Sequence, residues 1–552
     1  MRIAKFRFSF WHVVTVCIIA VLAVFLVYPL IMLFTDGFRE IGTGRFTLDN
    51  FQNFFSRRFY TMAITNSFRL TTTVTIFSLL IGVPLAYFMS FYKIKGAGAL
   101  RILYIISMMS PAFIGAYSWI LLLGRSGYLA VLMRNLFDIQ TPSIYGFGGM
   151  VLVFTLRLYP FIFIFASGAF KKIDVSLIEA AEGLGRSGIR KITGVLLPLI
   201  TPTLVSAALL VFMSAMSDFG TPALIGEGFP VMPTLIFFEF VGEMGGSAYF
   251  AAAIATVMVA VTAVLFIAQR WYVNRKSFTM TAMRSIQPKT PKPFFGVLIH
   301  TYAYILVAFS IIPQVMVVIS SFRNVHRMVF VPGFSLNNYR NVFRAARDAI
   351  TNTYIYSLIA IAIIVILSML IAYLAVRRKS TLTNLIDSVA MFPYIIPGSV
   401  LGITLLVSIG RAPMWLIGTP AIMIIALAIR RLAFTLRSST AILYQISPNV
   451  EEASISLGDT PLKSFLKITS RIMMPGVLSG AILSWIMLIN ELSASVMLFT
   501  MRTRTMSVAI YNEIIRGNNG NAAALATILT ATTVISLFIF FKVSGKKDVS
   551  MG

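Results

Sequence analysis

Cysteine is nearly absent from this chain: Cys17 is the only one in 552 residues. A single thiol excludes a disulfide framework and any cysteine-based metal centre. Histidine is almost as scarce. His12, His300 and His326 stand far apart, and each is read as a satisfied or interfacial side chain rather than a ligand. Acid is short too, with 19 Asp and Glu against 46 Lys and Arg, and charged residues of both signs make up only 12% of the chain. The pattern Gly-x-x-x-x-Gly-Lys-Ser/Thr occurs nowhere, so the phosphate-cradling loop of P-loop ATPases is missing. ATP hydrolysis by this chain is therefore not expected. No Ser/His/Asp set and no pair of carboxylates stands in a context that suggests catalysis, so no resident cofactor or metal is assigned.

Apolar residues, by contrast, are abundant: 58% of the chain is hydrophobic and the mean hydropathy is +0.87. A water-soluble globule cannot hide that much apolar surface, which implies an all-α polytopic membrane protein embedded in a lipid bilayer. The net charge of +27 would suit a nucleic-acid partner if it were clustered. It lies instead in short loops between apolar runs, with the bias toward the cytoplasmic side that the positive-inside rule expects, and no nucleic acid is expected. The basic N-terminus, Met1 to Phe10, runs into an apolar segment too long for a signal-peptide core, with no evident small-residue cleavage site. It is read as a retained first span, with both termini cytoplasmic.

Runs long enough to cross about 30 Å of hydrocarbon fall near 12–35, 65–91, 100–124, 149–170, 194–217 and 249–269. A second series falls near 297–320, 353–376, 385–409, 415–441, 474–498 and 521–541. The expectation is twelve transmembrane helices in two halves, 1–270 and 297–552, joined by a cytoplasmic linker, 271–296, that is rich in Arg, Lys and Pro. The halves repeat. FTLDNFQNFF at 46–55 matches FSLNNYRNVF at 334–343, ITNSF at 64–68 matches ITNTY at 350–354, and Pro111 falls opposite Pro393. From the fourth span onward the pairs Arg157 with Arg430, Gly185 with Gly458, Pro202 with Pro475 and Asp218 with Glu491 keep one constant spacing. Two six-span copies in the same orientation form a parallel repeat about an axis along the membrane normal, and such halves can enclose a path.

One polar loop recurs between the fourth and fifth spans of each half: EAAEGLGRSGIRKITGVLLPLITP from Glu179 to Pro202, and EASISLGDTPLKSFLKITSRIMMP from Glu452 to Pro475. Asp174 can cap a helix start, and Ser176 with Glu179 has capping-box spacing. In the second copy Ser447 takes the place of Asp174, with Pro448 at the first helical position. Gly185 and Gly458 suit a left-handed residue that ends a short helix. The second copy departs from the first: it reads Glu-Ala-Ser, and Ser470-Arg471 replaces Leu197-Pro198.

This spacing resembles the EAA loop of binding-protein-dependent ABC importers, the permease segment on which the ATPase sits. The resemblance implies the type I importer permease fold, with Glu179, Ala180, Ala181, Gly185, Glu452, Ala453 and Gly458 at the ATPase contact. It also implies two separate cytoplasmic ATPase subunits that bind the ATP, and an extracytoplasmic substrate-binding protein. The EAA-like loops span 179–198 and 452–475 in this reading. SDFGTPALIGEG at 217–228 and NELSASVML at 490–498, with the fused layout, look like the ferric-iron class of these inner-membrane permeases. Relatives that carry phosphonates, phosphorylated organic anions, thiamine or polyamines share much of the pattern. An ion-coupled secondary transporter is the alternative of another class.

Charges within the spans mark a candidate translocation path. An uncompensated charge at the bilayer centre costs at least about 2.5–3.5 kcal/mol, so such residues turn inward and pair. Arg157 and Arg430 are expected to face a central cavity, with Asp218 and Glu491 near its outer mouth. The outer connection also holds Glu227, Glu239 and Glu243 and no Lys or Arg. An acidic mouth suits a hard cation, whereas Arg157 and Arg430-Arg431 suit an anion.

Overall fold

A computed structural model describes residues 10–40, 43–242, 247–276, 284, 286–326, 329–411 and 414–544. Nearly everything described is helix. Among the described residues, ten helices are long and apolar enough to cross a membrane, and one sharply bent pair makes an eleventh. The expected twelfth, 415–441, starts later, as the helix Pro420–Gln445. Its Arg430, Arg431 and Arg437 leave it too charged to count by composition, although its 26 residues are long enough.

Prolines break the third span of each half. The helix Ala97–Met109 stops at Ser110, and Pro111 begins the helix Ala112–Leu123. In the second half the pair Thr381–Tyr394 and Gly398–Ile409 bends by 111°. The break falls at Pro397, which heads the helix Gly398–Ile409 as Pro111 heads its own. Pro397, not Pro393, is thus the structural counterpart of Pro111. Pro393 sits instead in the helix Phe392–Ile395, near a helix start where a missing N–H costs nothing.

The matching FTLDNF and FSLNNY stretches owe their likeness to one asparagine each. Asn50 donates both amide hydrogens, to the carbonyls of Gly37 and Arg39 at 3.1 and 2.8 Å. Asn338 does the same to Ser321 and Arg323 at 2.9 and 2.8 Å. Each closes off the orphan carbonyls at the end of the preceding span. Beside Asn338 the chain forms an antiparallel hairpin, Arg323–His326 with Val329–Phe334, which the all-α expectation left out. In the first half the same place shows only a single bridge, Arg39 to Phe46.

Packing repeats as well. Arg58–Phe91 lies along Phe147–Lys171, and Arg347–Arg377 lies along Pro420–Gln445. The first pair approaches closely at Gly82, where a Cβ would come within 2.7 Å of Ile162. The first span of each half packs on both halves. Leu22, Leu26 and Leu33 of the helix Phe10–Gly37 share a core with Ile403, Leu405 and Ile409 of the second half. Ile299, Ala303 and Leu306 of the helix Pro293–Phe322 share a core with Tyr104, Tyr159 and Phe163 of the first.

Part of the expected linker, 277–283 and 285, lies outside the described residues. The preceding helix runs to Lys276 and the next begins at Pro293. Between them Arg284 and Lys289 are bonded to the first half. Lys289 exchanges backbone hydrogen bonds with Phe91 and Lys93, at 2.8 and 2.9 Å.

Candidate functional site

Two places gather the residues singled out by sequence. The first is a central cavity of about 410 Å³, lined by Arg157, Asp218, Arg430, Arg431 and Glu491 among others. Arg157 is the eleventh residue of Phe147–Lys171, about 15 Å along it at 1.5 Å per residue. The helix Gly188–Met216 ends just before Asp218, and the chain turns into the short helix Gly220–Ile225, most of which is buried. The second half does the same after Ile489.

The acids therefore lie beside the arginines. Arg157 Nη1 stands 3.4 Å from Asp218 Oδ2. Arg430 Nε donates to Glu491 Oε2 at 2.7 Å, and Arg431 bonds the same oxygen. Acids and arginines meet because each fifth span ends just before its acid, at Met216 and at Ile489.

Each acid also organises the turn that follows. Asp218 Oδ1 accepts the N–H of Thr221 at 2.9 Å, and Glu491 Oε1 accepts that of Ala494 at 3.1 Å. This accounts for the Asp-Phe-Gly-Thr and Glu-Leu-Ser-Ala stretches: an acid caps a short turn while holding an arginine. The two turns meet across the middle of the molecule, where a Cβ on Gly220 would lie 3.1 Å from Leu492. Gly398 is equally confined, because a Cβ there would collide with the Arg430 guanidinium. Arg431 is the lining residue with no charged counterpart, since Leu158 stands at the matching place.

Of the remaining acids of the outer connection, the two described ones are engaged elsewhere. Glu227 takes both oxygens to Arg125 at 2.8 and 2.9 Å, and Glu239 accepts from the Tyr60 hydroxyl at 3.0 Å. Glu243 lies outside the described residues. Among the described residues no group of three or more His, Cys, Asp and Glu could hold a metal ion. His300 is satisfied, with Nδ1 bonded to the Gly296 carbonyl and Nε2 accepting the Lys95 N–H.

The second place is the pair of EAA-like loops. Asp174 caps the helix Val175–Gly183 by accepting the N–H of Ser176, and Ser447 caps Pro448–Ser456 by accepting that of Asn449. The capping box expected of Ser176 and Glu179 is not formed. The Glu179 carboxylate is instead held by Arg284 of the connecting segment, at 2.7 and 3.4 Å. Both helices end in the same way. Gly185 and Gly458 have φ of +79° and +97°. The N–H of Gly185 bonds Glu182 and that of Arg186 bonds Ala181, while Gly458 bonds Ile455 and Asp459 bonds Ser454. This is the Schellman arrangement, which a glycine enters without strain. A π turn follows at the start of each fifth span, Ile192–Leu196 and Phe465–Thr469. Replacing Leu197-Pro198 by Ser470-Arg471 leaves that backbone unchanged.

The two helices present matching faces. Glu179, Ala180, Gly185, Glu452, Ala453 and Gly458 are exposed, whereas Ala181 is buried against the protein itself. Sequence reading missed Leu184 and Leu457, which are 84% and 89% exposed at the tips. A leucine immediately before the helix-ending glycine was the available signal. Lys191, 2.5 Å from Glu182, holds that carboxyl below the usual carboxylate range.

The loops differ in how they are fastened. Glu451, buried in the second, accepts from the Tyr373 hydroxyl and lies 3.7 Å from Arg377. Tyr373 stacks on Trp11 with centroids 4.2 Å apart. The first half has Ile178 at the place of Glu451 and Phe91 at the place of Arg377.

A fused, two-fold repeated membrane fold with a polar loop after each fourth span defines a permease assembled from two like halves. The chain belongs to the family of binding-protein-dependent transport system inner membrane components, whose model matches it twice, over residues 78–278 and 364–547. It is similar to the ferric transport system permease protein FbpB of Actinobacillus pleuropneumoniae, 26% identical over 95% of this chain and 77% of the relative. It is also similar to a putative ferric transport permease, FbpB 1, of Haemophilus influenzae, 26% identical over 89% of this chain and 78% of that protein. A putative 2-aminoethylphosphonate transport permease, PhnV, of Salmonella paratyphi A is 29% identical over 42% of this chain and 88% of its own length. Family membership removes the secondary-transporter alternative.

Proposed function

We propose that this chain forms the translocation path of an ATP-driven importer of ferric iron. The observation that carries this reading is the family match in both halves, joined to likeness with ferric transport permeases along almost the whole chain. The halves are 1–270 and 297–552, with both termini and the segment 271–296 on the cytoplasmic side. Two ATPase subunits dock on the exposed faces of Val175–Gly183 and Pro448–Ser456. Leu184 and Leu457 enter the ATPase surface, and Glu179, Ala180, Gly185, Glu452, Ala453 and Gly458 surround them. Ala181 acts from behind, setting the helix against its own span. Closure of the ATPases on ATP draws the two loops together and rocks the halves. The path then opens around Arg157, Asp218, Arg430 and Glu491 toward a docked substrate-binding protein.

A second reading, import of a phosphonate or phosphorylated organic anion, is favoured by the three arginines lining the cavity and by the likeness to PhnV. Uptake of radiolabelled ferric iron and of labelled 2-aminoethylphosphonate, in cells with and without the gene, separates the two. Iron uptake that depends on the gene supports the first reading. Phosphonate uptake without iron uptake overturns it.

A further inference from the structure

We propose that the central cavity contains an oxyanion subsite built by Arg157, Arg430 and Arg431, taking a phosphate- or carboxylate-type group. The proposal rests on the reading of this cavity as the path and names a ligand chemistry for it.

Three guanidiniums here face two carboxylates, which leaves one positive charge in excess. Glu491, with its side chain only 2% exposed, is shared by two of the arginines. Its second oxygen is taken by the Ala494 N–H. Asp218 is likewise divided between Arg157 and the Thr221 N–H. Each carboxylate oxygen thus has a partner, and not every guanidinium nitrogen does. Arg157 Nε, Arg430 Nη1 and Arg431 Nε are buried without a hydrogen-bond partner among the described residues. An unpaired charge and unmatched donors in a secluded site carry a desolvation penalty that an anion offsets. Guanidinium forks match planar or tetrahedral oxyanions two oxygens at a time.

The charge excess comes from one residue. Arg431 stands where the first half has Leu158, so the two-fold repeat has been broken at the one lining position that makes the cavity cationic. Ser214, Ser217 and Ser493, which also line the cavity, can supply further hydroxyl donors. A hard cation such as ferric iron prefers oxygen ligands, and such a site receives it through the oxygens of an accompanying anion.

The test uses the purified chain in lipid nanodiscs with two probes: labelled inorganic phosphate alone, and labelled citrate as its soluble ferric complex. Saturable phosphate binding, weakened about tenfold or more (about 1.4 kcal/mol) in Arg431→Leu and Arg157→Gln but not in Arg437→Gln, supports a subsite for free oxyanions. Arg437 pairs with Asp387 and does not line the cavity. Binding of ferric citrate without phosphate binding, with the same dependence, shows that the anion arrives as a ligand of iron. Absence of binding by both probes, or binding undiminished in both cavity variants, overturns the proposal. Arg431→Leu restores the first half's own residue, and Arg431→Lys, which keeps charge but loses the fork, gives an intermediate loss if folding is intact. Iron uptake by the same variants separates the two readings. Lost uptake with undiminished binding removes the subsite alone, and normal uptake with lost binding removes the path alone.

Discussion

Glu491 carries more of the cavity than any other side chain, since it holds Arg430, Arg431 and the N–H of Ala494 at once. Replacing it by Gln keeps the shape and removes the charge, leaving two buried guanidiniums unmatched. Breaking a buried pair in this way costs about 3–5 kcal/mol. Glu491→Gln is expected to lower the melting temperature of the purified protein and to abolish uptake while the chain still reaches the membrane. Asp218→Asn, with one arginine and a more exposed side chain, should cost less. Equal losses of stability in the two would contradict the unequal sharing. At the loops, Gly185 has open space around a missing Cβ but a φ of +79°. Gly185→Val therefore strains the backbone by about 1 kcal/mol or more without any clash, whereas Gly185→Asn is tolerated. Uptake measured beside ATP hydrolysis should show the valine variant uncoupled and the asparagine variant near normal. Equal behaviour of the two would remove the left-handed glycine from the coupling argument.

At the scale of elements, the two EAA-like helices are built alike and anchored differently. Ile178 and Phe91 in the first half give way to Glu451 and Arg377 in the second. A charged pair stands in for an apolar one, with Tyr373 bonded to the acid. Removing one member leaves an unpaired buried charge, while exchanging both for apolar residues of similar size is often neutral. Glu451→Ile and Arg377→Phe are each expected to destabilise the protein by about 3 kcal/mol. The double variant should recover most of that loss in a thermal melt; additive losses would mean that the two sites do not share an anchor. Such anchoring was not legible in the sequence, because Glu451 sits beside the motif's own Glu452 and its partner is distant in the chain. The repeat, the helix caps and the left-handed glycines were legible, since each follows from local spacing. The contact between acids and arginines and the breaks in the third spans were not legible, because a hydropathy run shows neither how the end of a span packs nor where a proline bends it. Met216 and Ile489 end their helices at the polar pairs Ser217-Asp218 and Asn490-Glu491, and the turns that follow are largely buried.

For the molecule as a whole, the first spans, shared between the halves, decide how the halves depend on each other. Phe10–Gly37 buries leucines in the core of the second half, and Pro293–Phe322 buries Ile299, Ala303 and Leu306 in the core of the first. Asp36, 1% exposed, adds an ion pair across the interface to Arg411 at 2.7 Å. Neither half can cover its own apolar surface, so neither is expected to accumulate alone. The connecting segment contributes differently. Arg284 reaches Asp174 and Glu179, and Lys289 bonds the strand-like stretch after Phe91. These are surface contacts, and an exposed ion pair contributes at most about 1 kcal/mol. Continuity of the chain should therefore matter little once both halves are present. A gene cut between Lys276 and Arg284 leaves Arg284 on the second piece, free to bind the first half as it does in the intact chain. Co-expressed pieces are expected to co-purify and to support uptake close to that of the fused protein, and either piece alone is expected to be degraded. Asp36→Asn in the split form should weaken co-purification more than Arg284→Ala does, because the first removes a buried partner and the second an exposed one. A split pair that fails to assemble would assign the connecting segment a structural task. A half that accumulates alone would mean that the shared first spans are not what holds the halves together.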